Sequence, residues 1–212
     1  MYYKDDVKLS SEIPPTNYRN PVKPIISFEK IRVLIQNQPS KELEFNLNNL
    51  RNQTQNKNFP FQEDFVTFEL SQLFISSLLV PNSKYLQITL FIIDNFCDLN
   101  TELYIQNLLN SGLVPALDQL LSKINTADIF LPTISIFQKI VCHSCEYRNL
   151  FYQSLDCTKF LNFALECSSD ETIAGEICNF FRASLKYPIT NEFDYFFPLF
   201  EKLYLKYYKT DA

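Results

Sequence analysis

The chain has 212 residues and a net charge of -5, with 46% hydrophobic and 15% aromatic residues, 20 of them phenylalanine. That length suits one domain, or one elongated array, with enough chain to bury a core. The acid excess is the wrong sign for a general binder of nucleic acid or acidic membrane. Apolar runs such as Leu86 to Cys97 are too short or too interrupted to span a bilayer.

The N-terminus, MYYKDDVKLS, lacks the apolar stretch of a secretory signal, so the expected address is cytoplasm and nucleus. In such a reducing compartment the six cysteines read as small buried hydrophobes and not as disulfides. Residues 1–26 carry Pro14, Pro15, Pro21 and Pro24 among polar side chains and predict an extended, disordered arm. Residues 27–60 predict two helices that cap the array, the first with Ser27 as N-cap and the second opened by Pro39-Ser40.

From Phe61 onward the hydrophobic period is helical and no period-2 strand stands out. The spacing predicts helices over 65–79, 83–98, 101–110, 113–123, 127–142, 146–155, 157–167, 170–186 and 193–207. Gly112, one of two glycines, falls between two of these runs, where a positive φ would let the chain turn sharply, and Pro115 sits in the first turn of the second. Pro132 and Pro198 read as first turns or kinks. The aromatic run FDYFFPLFEKLYLKYYK reads as a docked last helix, with Tyr204, Tyr207 and Tyr208 as an exposed patch.

Three segments superpose without gaps at spacings of about 40 to 44 residues: LQITLFIIDNFC (86–97), FLPTISIFQKIV (130–141) and DETIAGEICNFF (170–181). Their stripes are Leu86, Leu90, Ile93 and Cys97; Phe130, Ile134, Phe137 and Val141; and Asp170, Ala174, Ile177 and Phe181. Only Asp170 is polar. One face per helix must bury on its neighbours, which is the logic of a solenoid. The helices before them, LSQLFISSLL, LVPALDQLL, CTKFLNFAL and YFFPLFEKL, match as well, giving about three full units and a partial one at each end.

SGLVPALDQLLS, SCEYRNLFYQ and EICNFFRASLKYP resemble the helices of armadillo repeats, more specifically those of importin-alpha, the nuclear-import adaptor. The likeness runs over roughly residues 61–205. It implies an all-α, right-handed superhelical armadillo-type solenoid, with residues 61–212 as the repeats. It further implies a concave face that binds basic, nuclear-localisation-type peptides. In that family a Trp and an Asn on successive third helices form a ladder: the asparagines clamp a peptide backbone, the aromatic faces hold lysine stems, and acids take the ammonium heads. Matched position by position, Phe91 and Asn95 take the two places in the first unit, with Asp94 and Asp98 beside them. Ser135 and Lys139 take them in the second, and Gly175 and Asn179 in the third. The candidate peptide-binding residues are therefore Phe91, Asn95, Asn179, Asp94 and Asp98. Residues 1–35 carry six scattered cations mixed with acids instead of the dense basic run that binding importin-beta takes. The alternative is a divergent armadillo or HEAT scaffold for protein association without import activity.

Enzyme chemistry is not expected. His143 is the only histidine, no glycine-rich oxyanion or phosphate loop can be drawn with two glycines, and no cofactor site is evident. The pair Glu171 and Glu176, like Asp94 and Asp98, reads as solvated acids or a groove rim. Cys142-His143-Ser144-Cys145 is the one metal-like cluster. It lacks the second close pair that zinc takes, so buried thiols and a turn histidine are the reading.

Overall fold

The computed structural model describes residues 28–36, 41–55, 65, 69–79, 83–99, 102–121, 126–155, 160, 164, 170–187, 201 and 205. The predicted arm over 1–26, and nearly all of the predicted helices over 157–167 and 193–207, lie outside these. Among the described residues the fold is entirely helical. The helices are α1 (Phe28–Gln36), α2 (Lys41–Thr54), α3 (Leu70–Leu79), α4 (Ser83–Asp98), α5 (Glu102–Asn110), α6 (Leu113–Leu121), α7 (Ala127–His143), α8 (Cys145–Ser154) and α9 (Glu171–Ser184).

They stack in two rows. α2, α4, α7 and α9 pack in series as one ladder, and α1, α3 and α6 pack in series behind it, with the short α5 and α8 joining the units. This is the solenoid that the repeat spacing predicts. The stripes behave as their period demands: Leu86, Leu90, Ile93, Cys97, Phe130, Ile134, Phe137, Val141, Ala174, Ile177 and Phe181 are all buried. Asp170, the polar exception, is not part of a stripe. It precedes α9 as its N-cap, its carboxylate accepting from the Thr172 and Ile173 amides at 2.9 and 3.2 Å.

The sequence predicts α2 only as a cap, yet it continues the ladder. Leu43, Leu47, Leu50 and Thr54 repeat the i, i+4, i+7, i+11 spacing and are buried. Its four asparagines and a threonine in the last stripe position hide this from a hydrophobicity reading.

Between α5 and α6 the corner is built as predicted. Gly112 has φ +86, its amide donates to the Leu109 carbonyl at 2.9 Å and its carbonyl accepts from Ala116 at 3.2 Å. No atom would meet a Cβ there, so glycine is required for the backbone angle and not for space. Pro132 stands in the second turn of α7, beyond the first turn where proline loses no bond, and the helix runs on to His143.

Phenylalanine supplies the fill between rows. Phe65, Phe74, Phe96 and Tyr104 cluster at ring distances of 4.6 to 6.3 Å in the first unit. Phe137 meets Phe151, Phe160 and Phe180 at 4.7, 6.0 and 6.3 Å in the next. Such tilted and edge-on rings stabilise beyond their buried area. Burial also pushes the Tyr104 phenol up to about 12.

Candidate functional site

The outward positions of the ladder helices are where a stacked-helix array can offer polar groups, because the stripes between rungs are buried. Polar side chains on α4 and α7, and just after α9, reach back to carbonyls near the C-terminal end of the ladder helix before. Asn95 of α4 donates from Nδ2 to the Arg51 carbonyl at 3.2 Å and to Thr54 Oγ1 at 3.0 Å, both in the last turn of α2. Lys139 of α7 donates to the Asp94 carbonyl at 3.1 Å. After α9, Lys186 Nζ and Tyr187 Oη donate to the Cys142 carbonyl at 2.8 and 3.0 Å, and Tyr187 Oη to the His143 carbonyl at 2.9 Å.

Four of the five predicted site residues meet at the first unit, and each has a partner from this chain. The Lys139 ammonium stands 2.8 Å from Asp94 Oδ1 and 3.4 Å from Asp98 Oδ1. The closer contact is an ion pair without an aligned hydrogen bond. Side chains of Lys139 and Asp94 are only 21% and 17% exposed, so the pair is partly shielded from water. The Arg51 guanidinium lies over the Phe91 ring, 4.7 Å from its centre. Aromatic face, acids and amide are thus filled by Arg51, Lys139 and the end of α2. Lys139, which stands where the family has an asparagine, is compensated by both acids. On the inner face of α4, burial first and then the nearby Asp94 carboxylate push the Cys97 thiol well above its ordinary range.

Asn179, the fifth residue, is apart from these. It is exposed on α9, and among the described residues its amide has no hydrogen-bond partner. It lines a pocket of about 480 Å³ between α7 and α9, together with Gln138, Lys139, Cys142, Arg182, Ala183 and Lys186. Asn179, Arg182, Ala183 and Lys186 fall at i, i+3, i+4 and i+7, one side of the helix and its last turn. Gln138 is tied down, donating to the Glu176 carbonyl and to Glu176 Oε2, both at 3.0 Å.

The walls of this pocket are held by cross-capping. Arg148 of α8 is fully buried and donates to the Ser184 and Tyr187 carbonyls at 3.3 and 2.9 Å, a cation at the C-terminal end of α9. Tyr187 in turn caps α7. Sequence reading missed Arg51, Thr54, Gln138, Arg148, Arg182 and Lys186. The repeat frame itself could have found some of them, since Gln138 and Arg182 stand at the places of Asp94 and Asp98.

The Cys142-His143-Ser144-Cys145 stretch is the junction of α7 and α8. Ser144 Oγ caps α8 by accepting from the Tyr147 amide at 3.1 Å, and the His143 ring stacks on Tyr147 at 5.3 Å. Among the described residues no three His, Cys, Asp or Glu side chains gather where a metal could sit. No described helix is long and apolar enough to cross a membrane.

No family model matches the sequence, and no curated protein does. Solved structures do match in fold. A designed armadillo repeat protein in complex with the peptide (KR)4 superposes with TM-score 0.62 at 12% identity, over 74% of this chain and 64% of that one. An engineered protein superposes with TM-score 0.69 at 12% identity, over 84% and 70%. A second designed armadillo repeat protein gives 0.58 at 14% identity, over 78% and 77%. The fold is therefore an armadillo-type solenoid.

Proposed function

We propose that this chain is a protein-binding armadillo-type module that holds an extended segment of a partner along its ladder face. One observation carries the reading: Asn179 is exposed, lines the α7–α9 pocket, and among the described residues its amide has no partner. A primary amide donates and accepts at once, which is what clamping a strand's backbone takes. On this reading Asn179 is the working clamp and Asn95 holds α4 to α2.

A second reading has its own support. The matched armadillo protein is in complex with a Lys/Arg peptide, and Phe91, Asn95, Asp94 and Asp98 are the residue types that a basic segment requires. This is the importin-alpha-like adaptor of nuclear import, at work in cytoplasm and nucleus. It needs Lys139 and Arg51 to leave the acids and the ring when the ligand arrives. A polarisation titration separates the two, using labelled Lys/Arg-rich and uncharged peptides against the parent, Asn179→Ala and Asn95→Ala. The first reading expects the uncharged peptide to bind and to weaken several-fold in Asn179→Ala alone. Tight binding of the basic peptide, lost in Asn95→Ala, supports the adaptor; no peptide bound by the folded protein overturns both.

A further inference from the structure

Resting on that reading of the ladder face, we infer that the α7–α9 pocket selects an acidic segment, seating a Glu or Asp side chain of an extended partner against Arg182 and Lys186. Of the pocket's seven lining residues among those described, three are cationic and none is acidic, in a chain whose net charge is -5. The cations differ in availability. Lys139 is committed to Asp94 and Asp98. Among the described residues Lys186 has no carboxylate partner; it donates to the Cys142 carbonyl and sits 5.4 Å from the Tyr187 ring centre, which leaves donors on the ammonium. Arg182 is exposed with no partner among the described residues. Its planar guanidinium can grip a carboxylate through two parallel bonds.

The nearby acids do not cancel this. Asp94 and Asp98 face Lys139, and Glu176 faces Gln138, so each is turned to a partner other than Arg182. Asn179 lies one turn before Arg182 on the same side of α9, so a backbone clamp and a carboxylate grip are adjacent. Lys139 enters by offsetting the charge of the α4 acids beside the pocket. A nucleic acid fits less well: phosphate tracking takes a continuous basic surface, whereas two available cations in an acidic chain make a local mark.

The test is a polarisation titration of two labelled peptides of equal length, one alternating Glu and Ser, the other Gln and Ser. It is run at low and physiological salt with the parent, Arg182→Gln, Lys186→Gln and Asn179→Ala. Arg182 and Asn179 have no intrachain partner to lose among the described residues, and a circular dichroism melt of each variant checks folding. The Glu peptide is expected to bind about tenfold tighter than the Gln peptide at low salt, the gap narrowing with salt. Arg182→Gln should remove most of that gap and Lys186→Gln about threefold of it, while Asn179→Ala weakens both peptides alike. Equal binding of the two peptides, still weakened by Asn179→Ala, overturns the acidic selection and leaves the module. Binding of neither overturns both. A single-stranded RNA oligonucleotide that binds more tightly than the Glu peptide also overturns the inference.

Discussion

The two ends of the ladder share one helical register and differ in what fills it. At α4 the aromatic ring, the amide and both acids are occupied by Arg51, the end of α2 and Lys139. At α9 the amide in the same register position is exposed and, among the described residues, has no partner, and the same holds of Arg182 beside it. The difference arises in the neighbouring rung. α2 ends with carbonyl and hydroxyl acceptors turned to Asn95, whereas the carbonyls at the end of α7 accept from Lys186 and Tyr187 and, among the described residues, not from Asn179. An asparagine's role here is set by the helix before it.

The largest expected effect tests whether the open end is rigidly built. Arg148→Met leaves the Ser184 and Tyr187 carbonyls without their charged donor and removes the cation from the end of α9. Losing a buried charged donor to two carbonyls should cost about 2–4 kcal/mol, a fall in melting temperature of roughly 5–10 °C for a chain of this size. Hydrogen exchange should rise in α9 and stay unchanged in α4. An equal rise in both would mean that the ends are not separate in stability, and the contrast would fail.

Next is the variant that should make the closed end resemble the open one. Lys139→Met frees Asp94 and Asp98 and loses a partly shielded ion pair worth about 1–2 kcal/mol. In a polarisation titration it should bind a Lys/Arg-rich peptide about tenfold more tightly than the parent does, and the Glu peptide several-fold less tightly. No change toward either peptide would show that the acids of α4 do not reach a ligand on this face.

Much of this fold is legible because burial repeats. The stripes at 86–97 and 130–141 hold in every position, and Gly112 marks a real positive φ. Asp170 looks like a flaw in the third stripe because a cap and a buried position can share a register at a helix start. The site is less legible. Register puts Phe91, Asn95, Asp94 and Asp98 on one face, but it carries no information about side chains arriving from other rungs. Arg51 and Lys139 are long enough to cross between helices, and Lys139, which register alone puts only in an asparagine's place, is the partner of both acids. α2 is hard to see as a rung because Thr54 ends its stripe, and Thr54 is also what Asn95 holds.

That pairing gives a smaller effect. Thr54→Val keeps the shape and removes one of the two acceptors of Asn95 and a donor to the Arg51 carbonyl. It should cost about 1 kcal/mol by urea unfolding, whereas Asn179→Ala should stay within about 0.5 kcal/mol of the parent. Equal losses would put Asn179 in the same structural role as Asn95, and the two ends would no longer differ.

The smallest effect comes from the thiol beneath the filled end. Cys97 is buried near Asp94, and burial and that carboxylate favour its protonated form in the folded state. The folded chain then keeps a proton that the unfolded chain begins to release near pH 8.5, so this contribution to stability is complete below that pH and declines above it as pH rises toward the folded value. Between pH 8 and 9 the decline should be about 0.7 kcal/mol. Urea unfolding of the parent and of Cys97→Ala at both pH values isolates it: the variant carries a constant deficit from its lost sulfur, and the gap between the two proteins should narrow by that amount. A gap that holds constant would mean that Cys97 ionises as readily folded as unfolded, which requires water to reach it near Asp94, and the filled end of the ladder would then be open after all.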